Sequence, residues 1–221
     1  MVKRHNFVRG FCLMGIAGVL AVGTGCGETK RLRRENQQLH EQLTSLQQEN
    51  ADLSSKVGQY ESELSQLENS KRALEEKLQG TGASVRIKNG AVSVTLPGSV
   101  LFDSGQTTLR PQSKETLKKI AGILKTEAAS EVVRIEGHTD DDPISKQKDK
   151  YKSNWELSTA RAAAVLHYMV EECSISPTRV YLAGFGQYQP VTDNNSKSGK
   201  ASNRRVEFVI VPRGTVDRML P

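Results

Sequence analysis

Apolar residues recur every seven positions from Leu32 onward: Leu32, Leu39, Leu46, Leu53, Tyr60, Leu67 and Leu74. Four residues after each stand Asn36, Leu43, Asn50, Val57, Leu64, Lys71 and Leu78, with Glu, Gln, Lys and Ser between. These are the d and a positions of a heptad, and they predict a helix of about 70 Å at 1.5 Å per residue. Leu at d with Asn at a favours a parallel homodimer, the buried Asn fixing register at some cost in stability. A single solvated helix, or one folded against its own domain, is the competing reading. Gly58 falls on the outer face and weakens the helix by roughly 1 kcal/mol.

The grammar changes after "QGTGASV", where Gly80 and Gly82 break the helix. "SVRIKNGAVSVTL" alternates on both sides of Asn89–Gly90, a hairpin signal. "LRPQSKETLKKIAGILK" places Leu117, Ile120, Ala121 and Leu124 on one helical face, and "EVVRIEG" reads as a strand. "SNWELSTARAAAVLHYMVEE" is a helix opened by a capping box, Ser153 with Glu156. "RVYLAGFG" is a strand, and "RRVEFVIVP" alternates Val206, Phe208 and Ile210 on one face. The expected class is α+β: a two-layer α/β sandwich of βαβαββ type preceded by a long helical coiled coil. The boundaries follow as a signal over 1–25, a stalk over 26–82, a domain over 83–213 and a tail over 214–221.

The N-terminus refines the stalk reading. Lys3, Arg4 and Arg9 precede the apolar run "FCLMGIAGVLAV" and then "GTGCG". The run is shorter than the roughly 20 residues that span a bilayer, and it reads as an export signal. Small residues leading into Cys26 resemble a bacterial lipoprotein signal, with Cys26 as the lipidated residue; Gly23 stands where that pattern has Leu. Ordinary cleavage near Gly23–Gly25 and an uncleaved anchor are the alternatives. Without its three N-terminal cations the chain falls from a net +6 to +3, close to balance for 221 residues and not a charge pattern built for nucleic acid. "KRLRREN" before a leucine repeat lacks the continuous basic helix that a DNA-binding zipper inserts into the major groove. Basic residues just past an anchor fit anionic lipid instead. Of the other cysteines, Cys12 lies in the signal and Cys173 reads as a partly buried helix residue, with no disulfide framework.

The candidate chemistry centres on "IEGHTDDDPI", Ile135 to Ile144. His138, Asp140, Asp141 and Asp142 have metal-ligand chemistry, but no second His lies at helical spacing and the calcium-loop pattern fails at Ser145 and Tyr151. No GxSxG and no cysteine nucleophile motif occurs. Paired acids stay open, since spacing in sequence does not give spacing in space. "GFG" is a lone GxG at a strand end. No cofactor is implied, and nothing demands an enzyme.

Arg161 is the stronger signal. It interrupts the apolar stripe Leu157, Ala164, Val165 and Tyr168, so its guanidinium must be paired or face a cleft. Asp140, closing the strand before this helix, is the natural carboxylate. Two readings stay open: a structural ion pair, or a clamp in which Arg161 holds a carboxylate and Asp140 an ammonium. His138 alternates with Asp140 and is a candidate for the floor of such a cleft. Asp141, Asp142 and the Lys-rich "SKQKDKYK" read as solvated loop, with contact to anionic wall polymer as the sharper idea for the lysines.

"IEGHTDDDPI", "SNWELSTARAAAV", "LAGFGQYQPV" and "GKASNRRVEFVI" resemble, in order and spacing, the OmpA-like peptidoglycan-binding domain over roughly 92–211. That domain is shared by OmpA proteins, peptidoglycan-associated lipoproteins and MotB-type stator proteins. The resemblance implies that Asp140 and Arg161 hold the zwitterionic end of diaminopimelate in the peptidoglycan stem peptide. It implies that Leu157, Asn203 and Arg204 line or support the site, and that Phe102 and Asp103 form its entrance. The expectation is a non-catalytic lipoprotein, anchored in the outer membrane through Cys26, facing the periplasm and tethering that membrane to the wall. The alternative is a stator-type wall anchor of the inner membrane. It requires a full membrane span with an acidic residue, where this apolar run is short and carries none. Gly27 rather than Asp after Cys26 favours delivery to the outer membrane.

Overall fold

The computed structural model describes the backbone of residues 9–145 and 147–211 and the side chains of 27–145 and 147–211. Residues 1–8 and the side chains of 9–25 of the expected export signal, the side chain of Cys26 and the tail over 214–221 lie outside the described residues. The chain divides into two compact units, 1–61 and 62–221. Among the described residues no helix is long and apolar enough to cross a membrane.

Helix α1 spans Arg9–Lys77. Within the first unit its stripe is uncovered: Leu32, Leu39, Leu43, Leu46, Leu53, Val57 and Tyr60 are each 51–68% exposed. Within the second unit the stripe changes partner. Leu67 packs against the domain core, and Leu74 and Leu78 are buried in it together with Val85 and Val92. The apolar heptad positions Leu67, Leu74 and Leu78 are therefore covered by the chain's own domain. This corrects the heptad expectation at its C-terminal end. The cause is local: Gly80 and Gly82, both at φ +74°, turn the chain so that the next strand returns alongside the helix end.

Strands β1 (Ser84–Lys88) and β2 (Ala91–Pro97) form a hairpin whose two-residue loop, Asn89–Gly90, takes φ of 51° and 72°. Both positive angles suit a primed turn that matches strand twist, which is why Asn-Gly stands there. A short helix α2 (Gly98–Leu101) and helix α3 (Pro111–Thr126) follow, then β3 (Val132–His138), α4 (Asn154–Glu171) and a 3-10 turn (Pro177–Arg179). Strand β4 (Val180–Gly184), helix α5 (Lys197–Asn203) and strand β5 (Arg205–Val211) complete the domain. The sheet order is β1-β2-β5-β3-β4. Strand β4 runs parallel to β3 and β5 antiparallel to both β2 and β3, so the expected two-layer α/β class stands. The short helices α2 and α5 had no clear sequence period.

Register separates two sheet faces. Phe208 lies opposite Ile135 and Val94, and all three are buried with Leu117, Ile120, Ala121 and Leu124 of α3 and Val165 and Met169 of α4. The alternate positions carry charge: Glu207 opposite Glu136, and Arg205 opposite His138. Cys173, just past α4, is buried and free.

Candidate functional site

Four segments meet at the C-terminal end of β3. Asp140 follows β3 by two residues, and Thr139 is held there by its N–H donating to Gly186 O at 2.9 Å. Arg161 sits in the second turn of α4, whose N-terminus is fixed by Ser153 Oγ accepting from Glu156 N at 3.3 Å. The Glu156 carboxylate accepts from Lys152 N at 2.8 Å, one residue earlier than in the usual capping box. The segment after α2 brings Phe102, Asp103 and Gln106, and the end of α5 brings Arg204.

Together they line a cavity of about 480 Å³, with Asp140, Arg161, Phe102, Asp103, Leu157 and Arg204 all on its wall. Asp140 and Arg161 are both buried, at 6% and 7% exposure. The ion-pair partner of the Asp140 carboxylate is Arg204, whose Nη1 donates to Oδ2. Arg161 has no carboxylate of the described residues within ion-pairing distance. Its Nε donates to Gln106 O at 3.2 Å, and its guanidinium carbon lies 5.5 Å from the centre of the Phe102 ring. Burial pulls the Arg161 guanidinium below its ordinary value; the Asp140 charge acts upward and the Arg204 charge downward. A desolvated cation with one carbonyl partner and a ring beneath it has donors left to hydrogen-bond to an anion, which is the chemistry of an anion subsite.

Several residues here carried no sequence signal. Gln106 supplies the carbonyl to Arg161 and also accepts from Gln147 Nε2 at 2.8 Å. Tyr151 is buried, its hydroxyl 3.1 Å from Thr107 Oγ1. These two contacts tie the loop after Asp140 to the loop after Phe102. Asn154 Nδ2 donates to Asp140 O, Asp142 O and Gln187 Oε1 at 3.3, 3.1 and 2.9 Å, pinning the chain that carries Asp140. Asp141 and Asp142 are paired with Lys200 at 2.9 and 2.6 Å, so these loop acids tie their loop to α5.

Two expected site residues sit elsewhere than expected. Phe102 is buried beneath Arg161 and joins the apolar core, while Asp103, paired with Arg110 at 3.4 Å, is the exposed one of the two. Asn203, expected to line or support the site, is wholly buried and is not among the cavity-lining residues. Its Oδ1 accepts from Val191 N and Thr192 N at 2.9 and 3.2 Å, and its Nδ2 donates to Thr192 O and Asn194 Oδ1 at 2.9 and 2.8 Å. It supports the segment before α5, and so acts on the site only through its neighbour Arg204.

His138 is the second. Strand alternation turns it to the charged sheet face, where it stacks on Phe185 at 5.3 Å between centroids. It does not shape the cavity floor. Its Nε2 lies 3.5 Å from Glu136 Oε2 and 3.8 Å from Glu207 Oε1. The ligand-capable atoms of this trio all fall within 4.8 Å of one another. Arg134 Nε and Arg205 Nε, each at 2.6 Å, already neutralise the two carboxylates, with Lys88 Nζ 3.4 Å from Glu207 Oε2. Glu136 Oε2 and both ring nitrogens of His138 are buried without a hydrogen-bond partner among the described residues, so the trio is a compact buried charge cluster beside the sheet.

Known proteins place the domain. Residues 101–204 match the model of the OmpA family. "Motility protein B" of Bacillus subtilis is 34% identical over 124 residues, covering 56% of this chain and 46% of that protein. "Probable lipoprotein YiaD" of Escherichia coli is 32% identical over 139 residues, covering 63% and 60%. The chain thus spans about half the length of the curated relatives it matches. The solved cell wall anchor of the type VI secretion system (T6SS) from Pseudomonas aeruginosa superposes with a TM-score of 0.56 at 30% identity, covering 64% of this chain and 96% of that one. With the family model and the fold in agreement, the chain carries an OmpA-family domain over residues 101–204.

Proposed function

We propose that the chain is a non-catalytic lipoprotein that tethers the outer membrane to peptidoglycan by binding the diaminopimelate of the stem peptide. The observation that carries the binding claim is Arg161, a buried guanidinium on the wall of a cavity with no carboxylate of the described residues in ion-pairing distance. A ligand carboxylate accepts two parallel hydrogen bonds from it. The ammonium on the same ligand carbon is held by Asp140. Leu157 and Phe102 provide apolar wall for the ligand's methylene chain. Lipidation of Cys26 and periplasmic exposure complete the tether, in line with the likeness to YiaD. A second copy covers the exposed stripe of α1, making the stalk a parallel homodimer.

Pull-down on purified sacculi beside a thermal melt tests the site. Loss of a charge-assisted hydrogen bond costs roughly 1.5–3 kcal/mol, so Asp140→Ala and Arg161→Ala should each weaken binding by about 10- to 100-fold. Variants that bind sacculi like wild type yet melt much lower would identify a structural charge cluster instead.

The likeness to Motility protein B favours a second reading, a stator-type wall anchor in the inner membrane. The two readings part at the N-terminus. A lipidated Cys26 in the mature mass, with outer-membrane fractionation, supports the tether. An intact N-terminus in the inner membrane supports the stator-type anchor.

A further inference from the structure

Asp140 and Arg161, the two halves of the proposed clamp, are not in equivalent states. Arg161 is buried and has no carboxylate partner among the described residues. Asp140 is already neutralised by Arg204. The cation subsite is thus filled by the protein itself, while the anion subsite is not.

Arg204 is built to leave. Its backbone is held from both sides: its N–H donates to Lys200 O at 3.0 Å, and its O accepts from Gly98 N at 2.7 Å. Its side chain, in contrast, is 40% exposed, against 8% for that of Asp140. The guanidinium reaches a buried carboxylate from a solvated rim, so it can swing away while its own backbone stays fixed. An exposed carboxylate lies within its field on the way out. Asp142 is held below its usual carboxylate range, first by its bond from Lys200, with the Arg204 charge contributing. The neighbour Arg205 has no such freedom, being buried and bonded to Glu207, Asn203 O and Gln189 O.

We propose that Arg204 is a resident counter-ion occupying the ammonium subsite, and that a zwitterionic ligand binds by exchanging its ammonium for this guanidinium. The inference rests on the reading of the cleft as a diaminopimelate site. It makes Arg204 a specificity-determining residue. A ligand with a carboxylate alone docks on Arg161 and leaves Arg204 in place. A ligand with both charges fills both subsites and releases it. Free Asp140 is never left buried and unpaired, which would cost more than the pair does. Cations that reach Asp140 without a carboxylate for Arg161 displace Arg204 for no second contact, so they are rejected.

The test is calorimetry with two peptides, a stem tripeptide ending in meso-diaminopimelate and the same peptide with its distal amine acetylated, titrated into wild type, Arg204→Gln and Arg204→Lys. Removing the competitor should tighten the free-amine peptide by about 3- to 10-fold in Arg204→Gln, as expected for a partly exposed ion pair. The acetylated peptide should gain nothing, and Arg204→Lys should bind both like wild type. The ligand-free Arg204→Gln protein should also melt lower, since Asp140 loses its counter-charge. Tighter binding from a less stable protein is a pairing that a merely supporting role would not produce. If Arg204→Gln binds the free-amine peptide no tighter than wild type, or more weakly, Arg204 helps to hold the ligand and the exchange is wrong. Equal gains for both peptides would mean only a wider cleft and would also overturn it. Absence of binding by wild type and variants alike would withdraw the diaminopimelate reading and the exchange with it.

Discussion

Gly137 of β3 runs so close beneath Ser158 of α4 that a methyl group on it would overlap the Ser158 carbonyl oxygen. Gly184 of β4 stands in the same relation to Thr159. The helix therefore rests directly on the two parallel strands at this level. Arg161 lies three residues beyond Ser158 on the helix, and Asp140 three residues beyond Gly137, just past the end of the strand. The close approach fixes how near α4 sits to the strand end that leads to Asp140.

Gly137→Ala is accordingly expected to damage fold and site together. The obstructing atom is backbone and cannot rotate away, so α4 must lift. Overpacking of this kind costs about 1–3 kcal/mol. A lowered melting midpoint should come with weakened sacculus binding, although neither clamp residue has changed. A variant that melts and binds like wild type would show that α4 adapts freely and that its seat does not set the clamp.

Asn203→Ala separates support from contact. The side chain makes four hydrogen bonds to the segment before α5 and none to the cavity. Leaving buried groups unsatisfied costs roughly 1–3 kcal/mol each. Thermal stability should fall clearly, while sacculus binding well below the midpoint should fall less than in Arg161→Ala. The reverse order in the two assays would assign Asn203 to the ligand.

Much of the domain was legible because its signals are local. Asn89–Gly90 demands positive φ at two successive positions, and Ser153 with Glu156 marks a helix start whatever it packs on. The stripe Leu117, Ile120, Ala121 and Leu124 announces one buried face. Arg161 stood out for the same reason, as a charge on an apolar stripe. What stayed hidden depends on chain meeting chain. Gln106 acts through its backbone carbonyl, which no residue type advertises. Asp140 pairs with Arg204 across 64 residues, where proximity in sequence suggested Arg161. Alternation along β3 put His138 and Asp140 in apparent partnership, but the strand ends at His138 and the pattern lapses before Asp140. The heptad likewise continued past the point where the domain takes over Leu67, Leu74 and Leu78.

The charged sheet face predicts acid sensitivity. Burial lowers His138 from its ordinary 6.5, with Glu136 acting upward and Arg205 downward. Burial raises Glu136, but contacts from His138 and Arg134 outweigh it and leave the carboxyl below its ordinary 4.5. Burial raises Glu207 too, and Arg205 with Lys88 and His138 brings it below the same value. All three folded-state values are depressed, so each group contributes stability above its unfolded value and loses it as pH falls through the folded one. The melting midpoint should therefore drop from just below pH 6.5 and steepen below pH 4.5. His138→Phe should blunt the upper part of that fall and leave the lower part. A midpoint flat from pH 7 to 4 would mean that these groups titrate alike folded and unfolded.

The stalk carries the last prediction. Leu32, Leu39, Leu43, Leu46, Leu53, Val57, Tyr60 and Leu64 form an exposed stripe at heptad spacing, and Asn36 and Asn50 hold two of its a positions. A stripe this long on one helix is covered when a second copy lies in register, since each Asn then meets its own counterpart. The seam of such a dimer would end near Leu64, because Leu67, Leu74 and Leu78 are committed to the domain. The soluble chain from residue 28 should sediment as a dimer at micromolar concentration. Deleting residues 28–61 should give a monomer whose domain melts as before, because the helical turns that complete its core are retained. Changing Asn36 and Asn50 to Leu should raise the stability of the dimer and let other registers or oligomers appear. A strict monomer from residue 28 at that concentration would leave α1 as a solvated helix and remove the homodimer from the proposal, with the wall-binding site unaffected.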